Sequence, residues 1–103
     1  MNNNISLFGS DLPGSRLIMF NNNIAGMIDY NIYDDVIFIQ FITIDEKYRK
    51  LGIARKIINE IIGKNKGKRL YGEALSDAKE FWSKLGATFE DPKGSVTPFH
   101  INC

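Results

Sequence analysis

The chain has 103 residues, 44% of them apolar and 24% charged, with a formal net charge of +1. That length suits one domain, and the apolar fraction excludes a disordered chain. The longest apolar stretch, residues 36–44, is far too short to span a bilayer, and Met1-Asn2-Asn3-Asn4 lacks the charged start of a signal peptide.

In chain order, the Asn-rich start and Gly9-Ser10-Asp11-Leu12-Pro13-Gly14 read as a loop or a frayed first strand. Three strand-like runs follow at 16–20, 24–32 and 36–44. Asn21-Asn22-Asn23 and Asp34-Asp35 separate them as turn material, long enough for antiparallel hairpins and too short for a crossover. In 36–44 apolar residues take both parities, which predicts a central strand buried on both faces.

From Gly52 the period changes. Ile53, Ala54, Ile57, Ile58, Ile61 and Ile62 form one apolar stripe, with Arg55, Lys56, Asn59 and Glu60 on the other side. This predicts an amphipathic helix ended by Gly63 and a basic turn through Lys68. Residues 70–75 then read as a strand returning parallel to 36–44, a strand–helix–strand unit. A second helix is expected over 77–86, with Asp77 as N-cap, Glu80 as its capping-box partner and Gly86 at C′. Residues 88–90 and 96–101 are expected to pair as a last hairpin across Asp91-Pro92-Lys93-Gly94. The pattern as a whole is α+β: a mixed, mostly antiparallel β-sheet with two main helices and one parallel strand pair.

Chemistry concentrates in the middle of the chain. Nine of the thirteen Lys and Arg residues lie between Lys47 and Arg69. Any single lysine there reads first as part of a solvated helix face. Together they form a positive rim that attracts anions. Within it, Arg49-Lys50-Leu51-Gly52-Ile53-Ala54 joins an apolar strand to the start of a helix. The first amides of a helix lack intrahelical partners and its macrodipole makes that end positive, so the junction suits phosphate. Nucleic acid fits less well, because the pI of about 7.8 is low and no aromatics interleave with the cluster. One His and one Cys, with no ligand spacing, argue against a metal. The lone Cys103 cannot form an intrachain disulfide, which points to a reducing cytoplasm.

This order of elements and two sequence marks resemble the GNAT family of N-acetyltransferases. The first mark is Arg49-x-x-Gly52-x-Ala54, similar to that family's Gln/Arg-x-x-Gly-x-Gly/Ala turn, with Ile44-Asp45-Glu46-Lys47-Tyr48-Arg49 as its approach. The second is Ala78-x-x-Phe81-Trp82-x-x-Leu85-Gly86-Ala87, similar to the family's "A…FY…LGF" helix and exit. The resemblance implies the acyl-CoA N-acyltransferase fold over a single domain, with acetyl-CoA as co-substrate wedged between the two parallel strands. The pantetheine arm would pair with backbone at Ile42, Thr43 and Ile44. The pyrophosphate would rest on the turn of Arg49, Lys50, Leu51, Gly52, Ile53, Ala54 and Arg55, with Phe81 and Trp82 walling the slot. No metal is implied.

The chain departs from the family at three points. Gln40 stands near the position of a common Glu base, and Trp82 stands where a Tyr acid is usual; neither can do that proton transfer. Glu73, His100 and Ser76 are the substitutes the sequence offers, with Tyr30, Tyr33 and Tyr71 as further proton donors; each also reads as an ordinary surface or packing residue. Helices that usually lie between the first two strands have only Asp11 to Gly14 to occupy. Either the acceptor cleft is open, suiting a protein lysine or N-terminus, or a second copy in a homodimer completes it. The activity implied is transfer of an acetyl group to an amine. A non-catalytic CoA-binding sensor and a pure interaction module stay open beside it.

Overall fold

The computed structural model describes residues 4–9 and 14–103. Its strands are β1 (Ile5–Phe8), β2 (Gly14–Phe20), β3 (Asn23–Ile32), β4 (Val36–Ile44), β5 (Arg69–Leu75), β6 (Thr88–Phe89) and β7 (Val96–Asn102). The helices are α1 (Ile53–Lys64), between β4 and β5, and α2 (Lys79–Lys84), between β5 and β6. One sheet runs in the order β1-β2-β3-β4-β5-β7-β6. Every neighbouring pair is antiparallel except β4–β5, which is parallel as the strand–helix–strand reading requires.

The core lies on one face of this sheet. Register partners share a face. The pairs Tyr30↔Ile39, Ile37↔Leu70 and Leu70↔Ile101 therefore stand together, and all five residues are buried. Against them α1 packs Ile53, Ile57, Ile58 and Ile61, while α2 adds Trp82, whose ring centroid lies 4.5 Å from that of Phe99. Each fully buried isoleucine contributes about 1.5–3 kcal/mol, so the α1 stripe is a main source of stability.

Three sequence expectations change, and one reading left open is decided. β4 is central, but it is buried on one face only: Phe38 and Phe41 remain 45% and 42% exposed. Both helices lie on the other side, and no described element covers this one. Of the opening segment, read as a loop or a frayed first strand, residues 5–8 form a paired first strand, β1, in register from Ile5↔Phe20 to Phe8↔Leu17, ahead of the three-strand meander. The rest of that expected loop, residues 10–13, and the Asn-rich residues 1–3 lie outside the described residues. The Asp77–Glu80 capping box does not form. A short 3-10 turn, Ser76–Ala78, precedes α2, so Ala78 takes the cap position and no side chain caps the helix. Lastly, α1 runs on through Gly63 to Lys64, where Asn65 donates its side-chain amide to the Ile61 carbonyl at 2.7 Å.

Two features aim the middle of the sheet. Along β4 the pairing passes from Asp29↔Phe41 to Tyr30↔Ile39, so Gln40 is an extra, unpaired residue that bends the strand. At Gly72 in β5, a Cβ would lie 2.7 Å from the Phe99 ring, and the missing side chain lets that ring cross under the strand. At the exit of α2, Gly86 sits at φ +93 and its N–H bonds Ser83 O, while Ala87 N–H bonds Trp82 O. This is the paired C-terminal closure expected for glycine at C′.

Candidate functional site

β4 and β5 pair only from Val36↔Arg69 to Phe38↔Tyr71. Beyond Phe38, β4 continues alongside β3 alone and β5 alongside β7 alone. The Gln40 bulge falls where they part. A cleft of about 710 Å³ fills the gap, its β4 wall made by residues 39–44 and its β5 wall by Gly72, Glu73 and Leu75. Phe81, Trp82 and Phe99 line it as well. An extended ligand laid against β4 there meets a strand edge that no other strand pairs, the arrangement that adds a ligand by backbone hydrogen bonds.

The cleft ends at the start of α1. A 3-10 turn, Glu46–Tyr48, brings the chain round, and Arg49 Nε donates to the Ile44 carbonyl at 3.0 Å, tying the turn to the end of β4. Lys50 at φ 67 and Gly52 at φ 76 are both left-handed. Adding a Cβ at Gly52 would touch nothing within 4 Å, so the glycine answers to the backbone angle and not to crowding. The first helical hydrogen bond is Lys56 N–H to Gly52 O, 3.0 Å. Amides ahead of Lys56 therefore start α1 without intrahelical acceptors, in a turn carrying Arg49, Lys50, Arg55 and Lys56. This donor set fits a pyrophosphate and would be wasted on a neutral group. Ala54 and Arg49 line the cleft itself, whereas Gly52 and Arg55 line a shallow basin of about 370 Å³ alongside α1.

Of the residues singled out from sequence, Ile42, Thr43, Ile44, Arg49, Ala54, Glu73, Phe81 and Trp82 come together around the cleft. Lys50 and Leu51 are exposed on the turn, and Ile53 turns its side chain into the core. Ser76 does not line the cleft. His100 does not line the cleft; it lies on the sheet face shared by Tyr71, Glu73 and Pro98, its ring centroid 6.1 Å from that of Tyr71. Tyr30 is buried under Arg16, whose guanidinium lies 3.8 Å above its ring, and Tyr33 is exposed between β3 and β4. Among the described residues no three His, Cys, Asp or Glu side chains converge as a metal site, and no helix is long and apolar enough to cross a membrane. Cys103 lies away from the cleft beside Lys68 and Asn102, and burial pushes its thiol pKa up. Sequence reasoning missed Gly72, Leu75, Val96 and Phe99 as lining residues. They meet only through the β5–β7 pairing, a long-range register with no local signal.

The acetyltransferase (GNAT) family model matches residues 5–87. An acetyltransferase from Thermus thermophilus superposes with a TM-score of 0.75 at 18% identity, covering 86% of this chain and 63% of that one. A GNAT family acetyltransferase from Elizabethkingia anophelis with acetyl-CoA bound gives 0.75 at 16% identity, covering 99% of each chain. The PaiA N-acetyltransferase of Thermoplasma acidophilum, in complex with coenzyme A, gives 0.74 at 17%, covering 91% and 64%. At these identities the likeness establishes the fold, the acyl-CoA N-acyltransferase fold. The chain spans less than two thirds of the Thermus and Thermoplasma proteins. No curated protein sequence matches it.

Proposed function

This chain belongs to the acetyltransferase (GNAT) family, and from that premise we propose that it moves an acetyl group from acetyl-CoA to an amine. One observation carries the reading: the cleft between β4 and β5 ends at a turn of free, positively flanked amides. In this reading amides at Gly52, Ile53, Ala54 and Arg55 hold the pyrophosphate, and Arg49 and Lys50 add charge beside it. The open edge of β4 at Ile42, Thr43 and Ile44 pairs with the pantetheine arm, while Phe81 and Trp82 exclude water from the far wall. When bound, acetyl-CoA supplies an acyl group on a thioester. Charge-assisted hydrogen bonds contribute roughly 1.5–3 kcal/mol each, so a few of them and the arm together reach the roughly 8 kcal/mol of micromolar binding.

Glu73 is the base in this scheme, because it lines the cleft while His100 and Ser76 do not. The acceptor ammonium gives its proton to Glu73, and the neutral nitrogen attacks the thioester carbonyl. A C–N bond forms, the C–S bond breaks, and the leaving thiolate takes up the second proton that the nitrogen sheds on becoming an amide. The acceptor is a protein lysine or N-terminus. What supports this is the open sheet face: Met27, Phe38 and Phe41 are exposed there, and Phe41 lines the cleft. Cys103, the single cysteine, suits a cytoplasmic setting.

Thermal melting with coenzyme A and thiol release from acetyl-CoA with pooled amines test the reading. At about 100 times Kd the ligand adds about 2.7 kcal/mol, a Tm rise on the order of 10 °C for this length. No rise at millimolar ligand refutes binding. Gln40 and Trp82, which lack proton chemistry, favour a second reading, a coenzyme A-binding sensor. Binding without amine-dependent thiol release would select it.

A further inference from the structure

A second cavity, of about 250 Å³, opens on the sheet face away from α1 and α2. Its outer walls are Phe38, Tyr71 and Pro98, which share that face through the pairs Phe38↔Tyr71 and Glu73↔Pro98. Ile39, Gln40, Gly72, Glu73 and Phe99 line both this cavity and the 710 Å³ cleft. The two spaces therefore meet through the breach where β4 and β5 part. A ligand occupying the cleft leaves this second opening as the approach for its reaction partner.

The chemistry of the opening is specific. Phe38 and Tyr71 stack with centroids 5.6 Å apart and planes at 23°, giving a flat aromatic wall. Glu73 stands at the breach, and Glu90 and Lys93 also line the cavity. Among the described residues the ion pair is Glu80–Lys84, so neither Glu73 nor Glu90 is committed to a cation. Two carboxylates against one ammonium leave the cavity with a net charge of −1. An alkylammonium stem like that of lysine brings only about five heavy atoms into this opening of about 250 Å³. A backbone α-amine would have to bring its peptide bond and side chain into the same slot.

We propose that this cavity admits an unbranched primary alkylammonium, as carried by a lysine side chain or a free diamine, and that Glu90 is a specificity residue for it. Phe38 and Tyr71 pack the stem and attract its charge. Glu90 draws the ammonium in, and Glu73 meets it at the breach. The proposal rests on the acetyl transfer proposed above.

Transfer from acetyl-CoA is measured with three acceptors: an N-blocked peptide holding one lysine, a lysine-free peptide with a free N-terminus, and 1,5-diaminopentane. The lysine peptide or the diamine is expected to exceed the lysine-free peptide at least about tenfold in kcat/KM, and the better of the two names the source of the amine. Glu90→Gln should lower that value about tenfold, chiefly through KM, while Glu80→Gln on the outer side of α2 should not. A lysine-free peptide that performs as well, or an unchanged KM in Glu90→Gln, overturns the assignment. Melting with coenzyme A separates the two levels. Absent binding sinks the acetyl-transfer reading itself, and binding without transfer to any of the three acceptors selects the sensor, whereas binding with transfer to the lysine-free peptide but to neither alkylamine overturns the cavity assignment alone.

Discussion

Substituting Gly72 by Ala puts the geometry of the cleft floor to a quantitative test. The new Cβ would lie 2.7 Å from Phe99 Cζ and 3.0 Å from Cε2, well inside van der Waals contact. Phe99 is fully buried, with Trp82 at 4.5 Å and Phe89 at 6.1 Å between ring centroids, so the ring has little room to retreat. Overpacking of this kind costs typically about 1–3 kcal/mol. Removing a glycine from the unfolded chain returns about 0.4–1 kcal/mol. A net loss of about 1.5 kcal/mol follows, a Tm fall of about 6–12 °C at this chain length. Urea melts of the wild type, Gly72→Ala, Phe99→Leu and the double variant close a cycle. The smaller ring-free side chain should recover part of the loss, with a coupling above about 0.5 kcal/mol. A Gly72→Ala protein as stable as the wild type, or additive effects in the double variant, would refute the close approach of Phe99 to β5.

Ile58→Ala empties a fully buried site under α1 and should cost about 2–5 kcal/mol in denaturant melts. Arg49→Ala removes the tie to the Ile44 carbonyl and a cation from the turn, and should weaken coenzyme A binding about tenfold by calorimetry. An unchanged Kd there would remove Arg49 from the phosphate site. Cys103 has its thiol pKa raised by burial, against a lowering backbone hydrogen bond at Leu70. The folded state therefore holds the neutral thiol more firmly than the unfolded chain does. That contribution is present below the unfolded pKa and fades as pH rises through the folded one. At pH 8 alkylation by iodoacetamide should be slower in the folded protein than in urea, and equal rates would contradict the burial.

Local signals carried much of this fold, and non-local ones carried the rest. The alternation in β2 and β3, the isoleucine stripe of α1 and Gly86 at C′ are set by neighbours in the chain, so they were legible. The turn at Gly52 was legible for the same reason, since a left-handed glycine before an amphipathic run is a local event. Burial of β4 was misjudged because Phe38 and Phe41 are apolar yet face outward, and the Gln40 bulge shifts the alternation between them. Phe99 and Gly72 are far apart in sequence and meet only through the β5–β7 register, so the floor of the cleft was invisible. Glu73 is the first choice of base from sequence, ahead of His100, but nothing local in the chain places either side chain. Their registers, Glu73↔Pro98 and Tyr71↔His100, put Glu73 at the breach and His100 beyond it.

The central claim is that coenzyme A lies between β4 and β5 with its pyrophosphate on the turn at Gly52. Backbone amide shifts, followed as acetyl-CoA is titrated into the labelled protein, test it most directly. Large changes at 42–44 and 52–55, together with the indole N–H of Trp82, are the predicted result. Binding that moves those amides no more than the rest of the chain, or shifts confined to another surface, would contradict it.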